Sequence, residues 1–165
     1  IRIGYAEQQF ILAEAALRKW ITGEGAEGYY KSGIRAAMEF TAANTPVKYQ
    51  HGVKIDDAYI AYYLEGPQVK FGASATENLN RIYKQKNILY FLQHEWDAFF
   101  ECRRTGVPEL PVNPSTNMNT DPSKMPVRWM YPQTEYDCNN ANVMEAIARQ
   151  YDGLDNENCV MWLLK

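Results

Sequence analysis

The sequence predicts an all-α protein: a tetratricopeptide-like helix hairpin, further long helices, and a long irregular proline-rich arm. Three observations carry this expectation. Apolar residues recur every three or four positions over 6–22, 26–41 and 76–104, which is the period of an amphipathic helix. Gly23 and Gly25 separate the first two stretches, as a short turn between antiparallel helices requires. Six of the eight prolines lie between Pro108 and Pro132, a density that few regular helices survive.

The first helix is expected from Ala6 to about Thr22, with Phe10, Ala13, Leu17 and Trp20 on its inner stripe. The second starts near Ala26 and turns Tyr30, Ile34, Ala37, Met38 and Thr41 inward. Gly33, Ala36 and Ala37 would let the two helices approach closely. Residues 1–43 thus form one hairpin, the size of a single tetratricopeptide-type repeat. A loop covers 44–54. Asp56 or Asp57 caps a short helix running to Leu64, with Tyr59, Ile60, Tyr63 and Leu64 on its face. Gly66-Pro67 ends it, and 67–75 is a second loop. One long helix is expected over 76–105, kinked near Gln93 or His94, with Leu79, Ile82, Tyr83, Leu89, Leu92, Trp96, Phe99 and Phe100 along its stripe; Gly106 stops it. Residues 106–140 read as the irregular arm. Residues 141–165 read as a terminal helix, with Val143, Met144, Ile147 and Tyr151 inward, and an apolar tail packed back as an extended piece. Ile1 to Gly4 alternates apolar and polar residues but is too short to define a strand.

Composition narrows the function. The chain has 165 residues, of which 46% are hydrophobic, and carries four Trp, twelve Tyr and six Phe, too apolar and aromatic for a disordered chain. Lys and Arg number 17 against 20 Asp and Glu, and no basic block occurs, so nucleic acid is not an expected partner. No apolar run reaches membrane-spanning length. Cys102, Cys138 and Cys159 are too few for a disulfide framework; buried thiols are the favoured reading, with one disulfide left open. The chain starts at Ile1 and reads as cut from a longer protein. A lone hairpin cannot bury its apolar face, so an exposed face along Phe10–Trp20 or Tyr30–Thr41 is expected.

Nothing in the sequence marks catalysis, a metal or a cofactor. His51 and His94 stand outside any metal-binding spacing, no phosphate-binding loop or nucleophile motif occurs, and Asp56–Asp57 reads as a helix cap. Binding remains. Exposed aromatic rings rimmed by amides and acids suit sugars and other flat ligands. The candidates are Trp129, Tyr131, Tyr136 and Asn140 beside the arm, and Tyr62, which cannot share the inner face with Tyr59 and Tyr63. At least one of Trp129 and Tyr131 is expected to be partly exposed. Arg103, Arg104 and Glu135 are expected to fasten the arm to the long helix.

The segments AEQQFILAEAALRKW (6–20), AEGYYKSGIRAAMEF (26–40), IYKQKNILYFLQHEWDAFFECRRTGVPEL (82–110), YPQTEYDCNN (131–140) and VMWLLK (160–165), in that order, resemble the SusD/RagB family of nutrient-binding outer-membrane lipoproteins of Bacteroidetes. The RRTG-x-P run at Arg103–Pro108, after an aromatic helix and before YP-x-x-E, is specific in combination. NILYFLQHE at 87–95 departs from the family's usual aromatic-led stretch. The resemblance implies a mostly helical protein on the surface-exposed side of the outer membrane, held by a lipid anchor absent from this chain. It implies a non-catalytic protein that captures glycans or other nutrients for a SusC-like TonB-dependent transporter. It places residues 1–165 in the C-terminal portion of such a protein, with Arg103–Arg104 as the family's arginine pair. A structural or protein-docking domain without its own ligand site is the alternative.

Overall fold

In a computed structural model, which describes residues 3–23, 25–94 and 96–164, helices are the only regular elements among the described residues. They fall into two compact units, Ile1–Pro108 and Glu109–Lys165.

The first unit holds α1 (Tyr5–Leu17), α2 (Ala26–Asn44), α3 (Asp57–Leu64), α4 (Ala75–Tyr90) and α5 (Asp97–Thr105). Phe10 and Ala13 of α1 meet Tyr30 and Ile34 of α2 in a core completed by Val69 and by Ile82 and Tyr83 of α4. The hairpin's inner stripe is therefore covered by α4 of the same chain, not exposed as expected. The two helices approach closely at Gly33, where a Cβ would stand 2.8 Å from Phe10 Cε1.

The helix ends differ from expectation for a local reason. α1 stops at Leu17, short of Thr22. Lys19 takes a left-handed conformation (φ 61°), its N–H reaches Ala16 O and that of Trp20 reaches Ala15 O, the paired bonds of a Schellman stop. Trp20, expected inside, is thereby turned out and is 71% exposed; the Arg18 guanidinium lies 5.3 Å from its ring centre. The single helix expected over 76–105 is two helices. Phe91 leaves the helical region (ψ 119°) and Leu92 is left-handed (φ 58°), so the ladder breaks before α5. Leu92, expected inside, is 90% exposed. Glu95, placed by sequence within that helix, lies outside the described residues, as do Ile1 and Arg2. Asp56 caps α3 as expected, accepting the Tyr59 N–H at 3.0 Å; Ser74, expected in a loop, caps α4 by accepting that of Glu77 at 3.3 Å. Gly106 ends α5 at φ 71°.

A buried ionic cluster joins three of these helices. Glu14 of α1 accepts the Tyr83 hydroxyl at 3.0 Å, Arg18 Nε at 2.9 Å and both terminal nitrogens of Arg104. Glu101 accepts Arg104 Nη2 at 2.8 Å and Lys86 Nζ at 2.9 Å.

The second unit contains α6 (Gln133–Cys138) and α7 (Asn140–Tyr151). The arm expected to stay irregular to residue 140 is thus interrupted by α6, entered through Pro132, whose φ of −66° suits a helix start. The arm is ordered by hydrogen bonds rather than by a helix. Asn117 Nδ2 donates to the carbonyls of Pro122 and Lys124 at 2.9 and 2.8 Å, and the Thr120 N–H meets the Glu157 carboxylate. Val143 and Ile147 of α7 are buried as expected, whereas Met144 is exposed. The tail closes in a single 3₁₀ turn, Trp162–Leu164, with Trp162 and Leu163 exposed, and not as a packed extended piece. All three cysteines are free thiols and none is buried: Cys138 is exposed, Cys102 and Cys159 are half-buried. Among the described residues no helix is long and apolar enough to cross a membrane.

Candidate functional site

The run Val127-Arg128-Trp129-Met130-Tyr131 lies alongside the chain that follows α7. α7 is ended by Asp152 (φ 54°) and Gly153 (φ 85°), which turn the backbone back. The N–H groups of Val127 and Arg128 then both reach Glu157 O, at 2.8 and 3.3 Å. This pairing brings Arg128 onto Asp155. Their side chains are only 5% and 7% exposed, and Arg128 Nη1 donates to Asp155 Oδ1 at 2.5 Å. A buried charge demands such a partner, because leaving water costs several kcal/mol per ion.

Both oxygens of Asp155 are engaged. Its Oδ2 accepts the Tyr131 N–H at 3.0 Å and the Tyr136 hydroxyl at 2.5 Å. Burial pushes its carboxyl up, but the bonds from Tyr136, Arg128 and the Tyr131 amide outweigh this and hold it below the usual value. The same hydrogen bond pushes the Tyr136 hydroxyl up. Arg128 is stacked as well as paired: its guanidinium carbon lies 4.1 Å from the ring centre of Tyr151 and 5.7 Å from that of Tyr131. Gln150 Nε2 donates to the Tyr131 hydroxyl at 3.3 Å.

The structure therefore joins Tyr131 and Tyr136 on one carboxylate. Trp129, one residue along the chain from Arg128, is 55% exposed, and Tyr131 is partly exposed, as expected of at least one of them. Asn140 is exposed at the first position of α7. Tyr62 lies on α3 in the first unit, and its ring is exposed. Arg104 is bound by Glu14 and Glu101 and ties α5 to α1. The Arg103 guanidinium lies 5.6 and 5.3 Å from the ring centres of Phe99 and Phe100 on its own helix. Glu135 accepts Asn139 Nδ2 at 3.3 Å, a contact within the second unit.

Sequence reasoning missed Arg128, Asp155, Gln150 and Tyr151. The available signal was Arg128 itself, a lone charge in the apolar run PVRWMY. Its partner, 27 residues away, had none. Also unanticipated is a cleft of about 460 Å³ in the first unit, lined by Tyr5, Glu7, Phe40 and His94 among others. Chemically, an exposed indole can stack on a sugar ring, and amide side chains can hydrogen-bond its hydroxyls. Among the described residues no group of three His, Cys, Asp or Glu side chains is placed to hold a metal ion.

The SusD-like family model, described as starch-binding and associating with the outer membrane, matches residues 1–132. Two solved SusD homologues from Bacteroides fragilis are similar to the chain. One is 48% identical, with a TM-score of 0.89 over 99% of this chain and 35% of its own. The other is 41% identical, with a TM-score of 0.83 over 99% and 34%. A chitin-binding SusD homologue from Flavobacterium johnsoniae is 25% identical, with a TM-score of 0.69 over 97% and 36%. The chain spans about a third of the length of these relatives. No curated protein matches it by sequence.

Proposed function

The chain belongs to the SusD-like family, and on that premise we propose that it serves non-catalytic capture of a glycan or similar nutrient at the cell surface. The captured ligand passes to a SusC-like TonB-dependent transporter in the outer membrane. The observation that carries the ligand class is the exposed indole of Trp129, two residues from Tyr131 on a segment whose backbone is held by the buried Arg128–Asp155 pair. Such a surface favours a neutral sugar ring, whose C–H face stacks on the indole while its hydroxyls meet amide groups. The starch named for the family and the chitin named for one relative belong to that class. Non-catalytic binding is supported by the pairing of three acids: Glu14 and Glu101 are taken by Arg104, and Asp155 by Arg128.

Calorimetric titration with maltoheptaose and with chitohexaose tests the reading. Binding of at least one is expected, weakened about tenfold or more in Trp129→Ala, the loss typical of a central aromatic contact. Absence of binding to both, or unchanged affinity in the variant, overturns it.

A further inference from the structure

The aromatic segment is held by a buried carboxylate that accepts three hydrogen bonds from this chain. Both Asp155 oxygens are consumed, Oδ1 by Arg128 and Oδ2 by the Tyr131 N–H and the Tyr136 hydroxyl. Three features of the segment depend on this one carboxylate. It fixes the Tyr131 backbone directly. It anchors the guanidinium that lies over the rings of Tyr131 and Tyr151, aided by the Asn156 carbonyl at 3.0 Å from Arg128 Nη1. Through Tyr136 it also holds α6, the helix that the segment enters.

We propose that Asp155 is the positioning residue of the aromatic platform: by fixing the backbone at Tyr131 and the guanidinium against its ring, it presets the surface that Trp129 and Tyr131 offer to a sugar. The proposal rests on the reading of that surface as the ligand site. The physical ground is preorganisation. A stacking surface whose rings are already set loses little conformational freedom on binding, whereas a loose one loses affinity without losing any contact. Asp155→Asn keeps the size but removes the counter-charge of a buried guanidinium, and it turns one acceptor into a donor facing groups that themselves donate.

The experiment titrates wild type, Trp129→Ala, Asp155→Asn and Tyr136→Phe with maltoheptaose and chitohexaose. Helix content is followed by circular dichroism, and pH is lowered from neutrality to below the usual carboxylate range, because Asp155 is held under its ordinary value. The charged and titratable groups facing Asp155 are Arg128 and Tyr136, with Tyr131 and Tyr151 against the guanidinium. Asp155→Asn is expected to bind about tenfold more weakly, and Tyr136→Phe about threefold, both at unchanged helix content. Wild-type affinity is expected to be level near neutrality and to fall on acidification, a step absent from Asp155→Asn. If Trp129→Ala weakens binding while Asp155→Asn and Tyr136→Phe bind like wild type, the positioning role is overturned and the ligand site stands. If Trp129→Ala changes nothing, or neither glycan binds, both fall. If Asp155→Asn does not fold, Tyr136→Phe and the wild-type pH step decide: unchanged affinity without a step overturns the proposal. Loss of binding that tracks loss of helix in both variants also overturns it.

Discussion

Arg104 grips Glu14 with both terminal nitrogens, Nη1 to Oε1 at 2.9 Å and Nη2 to Oε2 at 2.8 Å, across 90 residues of sequence. The second arginine of the RRTG run is thus a brace between the first and fifth helices. Glu101 shares the same guanidinium, and Lys86 balances the second carboxylate. The bidentate geometry explains why arginine stands here: the planar fork matches a carboxylate as an ammonium cannot.

Replacing Arg104 by Ala leaves Glu14, which is 8% exposed, without its main counter-ion. Breaking a fully buried pair costs about 3–5 kcal/mol. Arg104 is itself 46% exposed, so water takes over part of the loss, and about 2–3 kcal/mol is expected. Arg104→Lys, which keeps the charge and loses the fork, is expected to cost less than Ala. Urea denaturation midpoints at neutral pH rank the two variants.

The same cluster makes stability depend on pH. Burial pushes the Glu14 carboxyl up, but hydrogen bonds from Arg104, Tyr83 and Arg18 outweigh it and hold the group down from 4.5 to about 2. A carboxyl depressed in the folded state contributes stability that is complete above its ordinary value. That contribution is lost as pH falls from about 4.5 toward 2, because the unfolded chain takes up the proton first. The denaturation midpoint is therefore expected to fall over that window. In Glu14→Gln it starts lower at neutral pH and falls less steeply.

Gly33→Ala sets two effects against each other. Alanine favours a helix over glycine by about 1 kcal/mol. Its Cβ, however, would stand 2.8 Å from Cε1 of Phe10, a fully buried ring with little room to move. Overpacking of this kind costs about 1–3 kcal/mol. A net destabilisation of about 1 kcal/mol is expected, read as a lowered midpoint without change in helix content.

Lys19→Gly is expected to act in the opposite direction. Lys19 holds φ 61° at the Schellman stop, a conformation that costs a side-chain-bearing residue about 1 kcal/mol and glycine almost nothing. Greater freedom of the unfolded chain offsets part of this gain. A stabilisation of about 0.5 kcal/mol should raise the thermal midpoint slightly; a lowered midpoint counts against the assignment of Lys19 as the helix stop.

Local pattern carried most of the helical content. The stripe Phe10, Ala13, Tyr30, Ile34 and Ile82 follows from helical period, and each of those side chains is buried. Asp56 and Gly106 announced their cap and stop by residue type. The stops at Lys19 and Leu92 had no such sign, since neither residue favours a left-handed backbone, and both displaced an apolar side chain to the surface.

At the candidate site, Trp129 and Tyr131 were legible as aromatic residues near proline. Their support was not. Asp155 resembles any acid after a helix until the chain turns back and sets it against Arg128. Arg104 could be read as a helix-end cation, but its hold on Glu14 depends on how α1 and α5 pack. Sequence alone determined the all-α class, the positions of most helices and the aromatic character of the surface, because these depend on neighbours three or four residues apart. Only the tertiary structure decided where helices stop against local preference and which buried charges pair. Those choices are set by long-range packing, where an unpaired ion is too costly to leave and a partner can come from any part of the chain.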